Sequence, residues 1–450
     1  MSGHSLTSSL DANPSLERWI TFLPDHTVRI ATGKVEIGQG IVTALAQIAA
    51  EELDVGLNQV EMLSGSSELG PDERYTTSSL SIQESGASIR FVCAEVRARM
   101  TQRMAQRLNC APEELEIAEG RFLRNGEATG FDYWGLAPDV DLVSPIESAP
   151  QCKSVEAYSV VGQSIPRLDL PDKVRGAAFI HDMERPNLIH ARVLRQPCRG
   201  ATLIELDEDR IRKAAGGSLD IVRLGEFAAF LSTDEAVAER AAQAADESAE
   251  WTGVRTIEVG SDEAAWLVSQ PGKDVRFGDD SSPAQGEVFT RAYSRGYIAH
   301  ASMAPSCALA EFIDGHLTVW SHGQGMHPLR RTLADALGLA PEAITTHHVH
   351  GAGCYGHNGA DDAALDAALI ARERPGECIR LQWRRAEEFG FEPLGPSMQV
   401  ELRIGLDETG CPADWTTEIW SGVHVQRPGL GGGLAVRTHR AGARRRRRRA

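Results

Sequence analysis

Between His347 and Asp362 the chain reads His-His-Val-His-Gly-Ala-Gly-Cys-Tyr-Gly-His-Asn-Gly-Ala-Asp-Asp, its densest run of glycine and of reactive or ligating side chains. Glycines between a strand and a helix let the main chain approach a ligand closely and aim its N–H groups at an anion. The run therefore reads first as a cradle for a phosphorylated cofactor. Taken literally, Gly351, Gly353 and Gly356 match the dinucleotide fingerprint G-x-G-x-x-G, which would make the chain a nicotinamide- or flavin-dependent oxidoreductase. Asn358 and Gly359 delay the helix past those glycines, however, and Glu387 and Glu388 come too late to be the motif's acidic residue. His347, His350, Cys354 and His357 are metal-ligand types, but the first two share neither a helix face nor an alternate-strand face. Asp361 and Asp362 read as acids at a helix N-terminus, interacting with its free N–H groups.

A second pattern occurs twice. Gly38-Gln39-Gly40 and Gly323-Gln324-Gly325 each follow an alternating, strand-like run and precede a helix with one apolar face, after which a new strand begins near Val60 or Ile344. A glutamine held between two glycines at a strand-to-helix turn offers a ligand both a donor and an acceptor. Two such units facing each other would grip a large polar cofactor from both sides.

The elements that must position these residues follow from periodicity. Residues 18–31 read as a hairpin, and Ile89, Val92, Cys93, Val96, Met100, Met104 and Leu108 mark one face of a long helix after the hydroxyl-rich loop 70–86. Strands are expected near 177–181, 188–195, 317–321, 344–350, 378–383, 398–404 and 415–424, and a helix over about 361–372. The division expected is 1–160, 161–285, 286–428 and a tail, 429–450, with the middle region a separate α+β domain.

Composition narrows the class. With 42% hydrophobic and 24% charged residues the chain is of the soluble globular kind, and no run approaches the roughly 18 apolar residues of a membrane helix. Met1 to Glu17 lacks the plan of a secretory signal, and the eight cysteines include no C-x-x-C pair, which argues against a zinc ribbon or an iron–sulfur cluster held by this chain. A cytoplasmic location is expected. A net charge of −17 makes nucleic acid a poor partner. The tail ends in six arginines, Arg444 to Arg449, and its Gly/Ala/Arg monotony suits a reading-frame error better than an anionic-surface tether.

Taken together, Lys34-Val-Glu-Ile-Gly-Gln-Gly-Ile-Val-Thr-Ala, Ser79-Leu-Ser-Ile-Gln-Glu-Ser-Gly-Ala, Arg167-Leu-Asp-Leu-Pro-Asp-Lys-Val-Arg-Gly, Trp320-Ser-His-Gly-Gln and Gly351-Ala-Gly-Cys-Tyr-Gly-His-Asn-Gly-Ala-Asp-Asp resemble the molybdopterin-binding subunit of the xanthine dehydrogenase/aldehyde oxidase family. The likeness is greatest to the branch of the isoquinoline 1-oxidoreductase β-subunit and nicotinate dehydrogenase. The resemblance implies a multidomain α+β fold in which two related molybdopterin-binding segments flank a hammerhead domain at 161–285. It places Gln324 near the metal's oxo or sulfido ligands, and the backbone of Gly353, Cys354, Tyr355 and Gly356 facing metal and pterin. Gln39, Gly40, Ser79 and Ser81 would hold the pterin and its phosphates, usually those of a cytosine dinucleotide. Molybdenum would be held by the pterin dithiolene and by no protein side chain.

The implied reaction is hydroxylation of an aldehyde or N-heteroaromatic carbon with oxygen from water, electrons leaving through a separate [2Fe–2S] subunit. Family members are far longer, and their catalytic base is a glutamate near the C-terminus. Glu36, Glu84, Glu387 and Glu388 lie in other motifs, so no residue here is assigned that role. The chain is accordingly expected to be C-terminally truncated and inactive alone; a non-catalytic cofactor-binding or assembly fragment is the alternative.

Overall fold

The computed structural model describes residues 5–176, 179–198, 200–256, 262–278, 286–424 and 427; the Gly/Arg tail lies outside them. The N-terminal unit begins with β1 (Ile20–Phe22) and β2 (Val28–Thr32), paired antiparallel with Ile20 opposite Ile30 as the alternation requires. Helix α1 (Ile41–Leu53) then returns the chain to β3 (Val60–Ser64), parallel to β2 with Val28 opposite Val60. Helix α2 (Ala87–Leu108) packs on α1, burying Ile89, Val92, Cys93, Val96, Met100 and Met104 against Leu45, Leu53 and Trp19.

A seven-stranded sheet forms the second core. Its strands are β4 (Leu188–Leu194), β5 (Asp220–Leu224), β6 (Phe227–Ser232), β7 (Cys307–Ile313), β8 (His316–Ser321), β9 (Ile344–His348) and β10 (Cys378–Gln382), in the order β9-β8-β7-β10-β4-β6-β5. β8 and β9 run parallel, as do β10 and β4; the other pairs are antiparallel. Helix α3 (Glu235–Ser248) covers Ala228 and Phe230 of β6. Helices α4 (Met326–Leu337) and α5 (Ala360–Glu373) belong to the core that takes Phe227, Ala229 and Leu231 from its opposite face. Successive side chains of a strand point to opposite faces, so β6 with helices on both sides is apolar from Phe227 to Leu231. The sheet draws strands from both 161–285 and 286–428, and the two segments share this core.

The duplicated layout is present: β2-α1-β3 and β8-α4-β9 follow the same plan, a strand, a Gly-Gln-Gly turn, a helix and a parallel strand. They differ at the first strand's end. β8 stops at Ser321, two residues before its glycine, whereas β2 stops at Thr32, short of the expected end at Gly38. The intervening residues 33–37 are pulled from the ladder by loop 73–76: the Gly33 N–H donates to Glu73 Oε2 (2.9 Å) and the Val35 N–H to Thr76 Oγ1 (2.8 Å). The expected strand over 177–181 also differs. Ile180–Asp182 is a single helical turn whose Ile180 N–H donates to the His350 carbonyl (2.8 Å), leaving it no partner strand; residues 177 and 178 lie outside the described residues.

The two units meet along their β3 and β9 ends. Gly65, Ser66 and Ser67 run antiparallel to 346–348, with His348 N–H donating to Gly65 O (2.7 Å), Ser67 N–H to Thr346 O (3.0 Å) and Thr346 N–H to Ser67 Oγ (2.9 Å). Gly65 has a positive φ of 67°, and a Cβ there would lie 2.6 Å from Val35 Cγ1 and 2.7 Å from His348 Cβ, so only glycine permits this approach. No described helix is long and apolar enough to cross a membrane.

Candidate functional site

Thr76 joins the two glutamine turns. Its hydroxyl accepts the Val35 N–H, its own N–H donates to the Gln324 carbonyl (2.8 Å), and its carbonyl accepts Gln324 Nε2 (2.8 Å). The preceding residues are held as firmly: Lys34 is buried with its ammonium donating to the carbonyls of Glu73 (2.7 Å) and Tyr75 (3.1 Å), and burial pushes its pKa down. The Tyr75 ring lies against Gly325, where a Cβ would sit 2.7 Å away, and burial raises its phenol's pKa. Arg427 donates to Gln324 Oε1 and stacks over that ring, 5.1 Å from its centre. Both ends of the Gln324 amide are thereby fixed, leaving one Nε2 hydrogen and one Oε1 lone pair for a ligand.

The first turn is built differently. The buried Glu36 carboxylate accepts the N–H groups of Gly38 and Gly40 on Oε1 (2.9 Å each) and of Val42 on Oε2 (3.2 Å). Gln39 folds onto its own loop, Oε1 accepting the Ile37 N–H (2.7 Å) and Nε2 donating to the Val35 carbonyl (2.9 Å). Arg167 closes over it with Nη1 on the Gly38 carbonyl (2.8 Å), and pairs with Asp169, whose carboxyl the adjoining guanidinium holds well below the usual range.

Glycines of the loop 349–359 are demanded by neighbours. A Cβ at Gly351 would lie 2.6 Å from His322 Nδ1, and one at Gly356 would lie 2.4 Å from the His300 ring. Tyr355 is exposed, in the left-handed region at φ 55°, while Cys354 is buried and its thiol's pKa is raised by that burial. The helix begins only at Ala360, whose N–H donates to Asn358 Oδ1 (3.2 Å), so Gly351, Gly353 and Gly356 do not form its first turn as a dinucleotide fingerprint would require.

Several buried polar atoms around the second turn have no hydrogen-bond partner among the described residues: His322 Nδ1, His348 Nε2 and Asp361 Oδ1. Asp361, like Asp362, lies in the first turn of α5, the place expected for a helix-end acid. Its Oδ1 accepts no N–H and abuts Gly323, where a Cβ would lie 2.6 Å from it; Oδ2 is 3.5 Å from His357 Nε2. His322 Nε2 accepts the Cys307 N–H (3.2 Å), so the neutral ring carries its proton on Nδ1. Burial pushes the His322 pKa down to about 3, and burial also drives that of His348 well below its ordinary value. Both rings are neutral near pH ~7.

Of the residues singled out in the sequence, Gln324, Gly353, Cys354, Tyr355 and Gly356 gather at the end of the seven-stranded sheet, whereas Gln39 and Gly40 lie at the start of α1 beside Arg167. Ser79 is exposed, in a left-handed conformation at φ 57°, and Ser81 opens a π-helical turn, Ser81–Gly86. Among the described residues no hydrogen bond links either serine side chain to a glutamine turn. His322, His348 and Thr76 fall within motifs read from the sequence but carry no assigned role there, and Arg427 belongs to none of those motifs. His322 immediately precedes its Gly-Gln-Gly, which was a usable signal; Thr76 carried none beyond its hydroxyl-rich loop.

Residues 2–153 and 269–424 each match a family described as a molybdopterin cofactor-binding domain. The chain is 33% identical over 415 residues to a nicotinate dehydrogenase chain of Pseudomonas putida, covering 88% of this chain and 34% of that protein. It is 25% identical to the β-subunit of isoquinoline 1-oxidoreductase from Brevundimonas diminuta, covering 87% of this chain and 57% of that protein. A crystal structure of quinoline 2-oxidoreductase from Pseudomonas putida 86 superposes with a TM-score of 0.45 over 57% of this chain and 39% of that one, at 18% identity. The chain thus spans about a third of the first relative and just over half of the second. Two cofactor-binding matches separated by the strands of 188–232, with relatives aligned along most of the chain, identify its lineage. The chain belongs to the xanthine dehydrogenase/aldehyde oxidase family, among its molybdopterin-binding subunits.

Proposed function

We propose that the second turn, residues 323–325, and the loop 349–359 form one wall of a molybdopterin site, and that the chain acts as the large subunit of a molybdenum hydroxylase. The observation that carries this reading is the set of orphaned buried atoms around Gln324: a polar cofactor would satisfy His322 Nδ1, His348 Nε2 and Asp361 Oδ1, which otherwise remain desolvated without compensation. His322 offers an Nδ1–H donor, Asp361 an acceptor, and Gln324 one of each, which suits the mixed edge of a neutral heterocycle. Burial of these groups keeps water from competing for them. The first turn fits less well, because its N–H groups are already occupied by Glu36.

The bound cofactor would supply the two-electron oxidation that inserts water-derived oxygen into a C–H bond. This chain's residues would bind and orient it. The names of the relatives favour an N-heteroaromatic carbon over an aldehyde as the site of reaction, and both relatives are named as subunits, in keeping with a separate electron-accepting partner, for which a [2Fe–2S] protein is proposed. A cytosine dinucleotide form of the cofactor completes the proposal. The eight cysteines are all free thiols, which suits a reducing cytoplasm.

The test is metal and pterin content. The chain purified from a host that makes the cofactor should carry molybdenum and releasable pterin in equal amounts, and Gln324→Ala should lower both several-fold. Absence of both from the wild-type chain, where a relative expressed in parallel is loaded, would refute the proposal.

A further inference from the structure

The two Gly-Gln-Gly turns share a sequence but not a chemical state. An open strand–turn–helix loop presents unpaired N–H groups to a ligand anion. At the first turn those of Gly38, Gly40 and Val42 already converge on a single carboxylate, and the carboxylate is 1% exposed. Both ends of the Gln39 amide are used within the loop. The nearby cations are committed as well: Arg167 donates to the Gly38 carbonyl, to Glu36 (3.4 Å) and twice to Asp169 (2.9 and 2.6 Å), and Lys173 donates to Asp169 (2.6 Å). Glu36 and Asp169 balance Arg167 and Lys173, so this cluster is locally neutral.

Among the described residues the second turn has no such group. The residue two positions before its first glycine, where Glu36 stands in the first unit, is Ser321, whose hydroxyl accepts the Gly323 N–H (3.1 Å) and donates to the Ala360 carbonyl (3.4 Å). A neutral hydroxyl fills that place in the second turn, and a buried carboxylate fills it in the first.

We propose that Glu36 is the resident anion of the first turn, and that this turn clamps the segment 167–173 instead of a ligand phosphate. The duplicated unit has thus diverged: the copy at 38–40 is a structural joint held by a carboxylate, and the corresponding place in the copy at 323–325 carries no charge. This rests on the cofactor reading above and refines it, since it removes Gln39 and Gly40 from the phosphate contacts.

Amide exchange on the whole chain, labelled with ¹⁵N-glycine and ¹⁵N-valine, tests the proposal with inorganic phosphate as the probe and needs no cofactor. In the wild type, the Gly38, Gly40 and Val42 amides should exchange slowly and neither shift nor slow further when phosphate is added. In Glu36→Ala their exchange should quicken about tenfold or more, and phosphate should restore part of the protection. Glu36→Gln, which keeps one carbonyl oxygen, should retain slow exchange at Gly38 and Gly40 and lose it at Val42, and it serves if the alanine variant does not fold. Phosphate-induced shifts at Gly38 and Gly40 in the wild type would overturn the proposal, as would unchanged protection in Glu36→Ala. Failure of the molybdopterin reading would appear as absent metal and would leave these amide signals as they are.

Discussion

Acid should destabilise this protein through His322, by an amount that can be worked out. The ring is buried at the end of β8, its Nε2 accepting the Cys307 N–H, so protonation would both charge a desolvated group and break that bond. The folded-state pKa is pushed down to about 3, chiefly by burial and then by His181, with Asp361 opposing. In the unfolded chain the same ring titrates near ~6.5. The sign follows: a histidine whose folded pKa is depressed contributes stability above its unfolded pKa, and this is lost as pH falls from ~6.5 toward the folded value. Between about pH 7 and about pH 5 the unfolded chain gains about 0.7 proton at this ring and the folded chain almost none, which costs about 2 kcal/mol. His348, driven down in the same direction, adds to the total fall. The assay is urea unfolding at both pH values for the wild type and His322→Gln, whose amide oxygen can still accept the Cys307 N–H. Any constant cost of the substitution cancels in the comparison. The wild type should lose about 2 kcal/mol more than the variant on acidification. Equal losses would show that His322 takes up no fewer protons folded than unfolded, and the reasoning would fail.

Two further substitutions probe the framework. Thr76→Val preserves shape but leaves the buried Val35 N–H without an acceptor; denaturant unfolding should register about 1–3 kcal/mol lost, with faster amide exchange at Val35. Asp366 is fully buried against Arg195 and accepts Trp383 Nε1 (3.1 Å), so Asp366→Ala strands a buried guanidinium and should cost about 3–5 kcal/mol in the same measurement. A loss under about 1 kcal/mol would mean that solvent reaches Arg195.

What could be read from the sequence was what local spacing carries. The one-face pattern from Ile89 to Met104 located α2, and the matched Gly-Gln-Gly units located two parallel β-α-β repeats. That Gln324 and the loop at 351–356 share one end of the sheet follows from the single helix and single strand between them. The rest depends on contacts between distant residues. Nothing local marks Thr76 as the residue that bonds to both Val35 and Gln324, or Glu36 as the acceptor that ends the first turn's availability. The early end of β2 is likewise imposed from outside, by Glu73 and Thr76. Nor does periodicity reveal that strands from 188–232 and 307–382 lie in one sheet, since each strand has the same alternation whichever neighbour it takes.

That shared sheet sets a schedule for synthesis. β4 pairs on one side with β6, which follows soon after, but its other side waits for β10, with Leu188 opposite Cys378. At ribosomal rates the roughly 190 intervening residues take about 10–40 s to appear. Throughout that interval a strand of apolar composition presents an open hydrogen-bonding edge, the template on which chains pair with the wrong partner. The nascent chain is therefore most vulnerable to aggregation after α3 is made and before β10 emerges, and holdase capture during that window should govern its yield more than the stability of the finished fold.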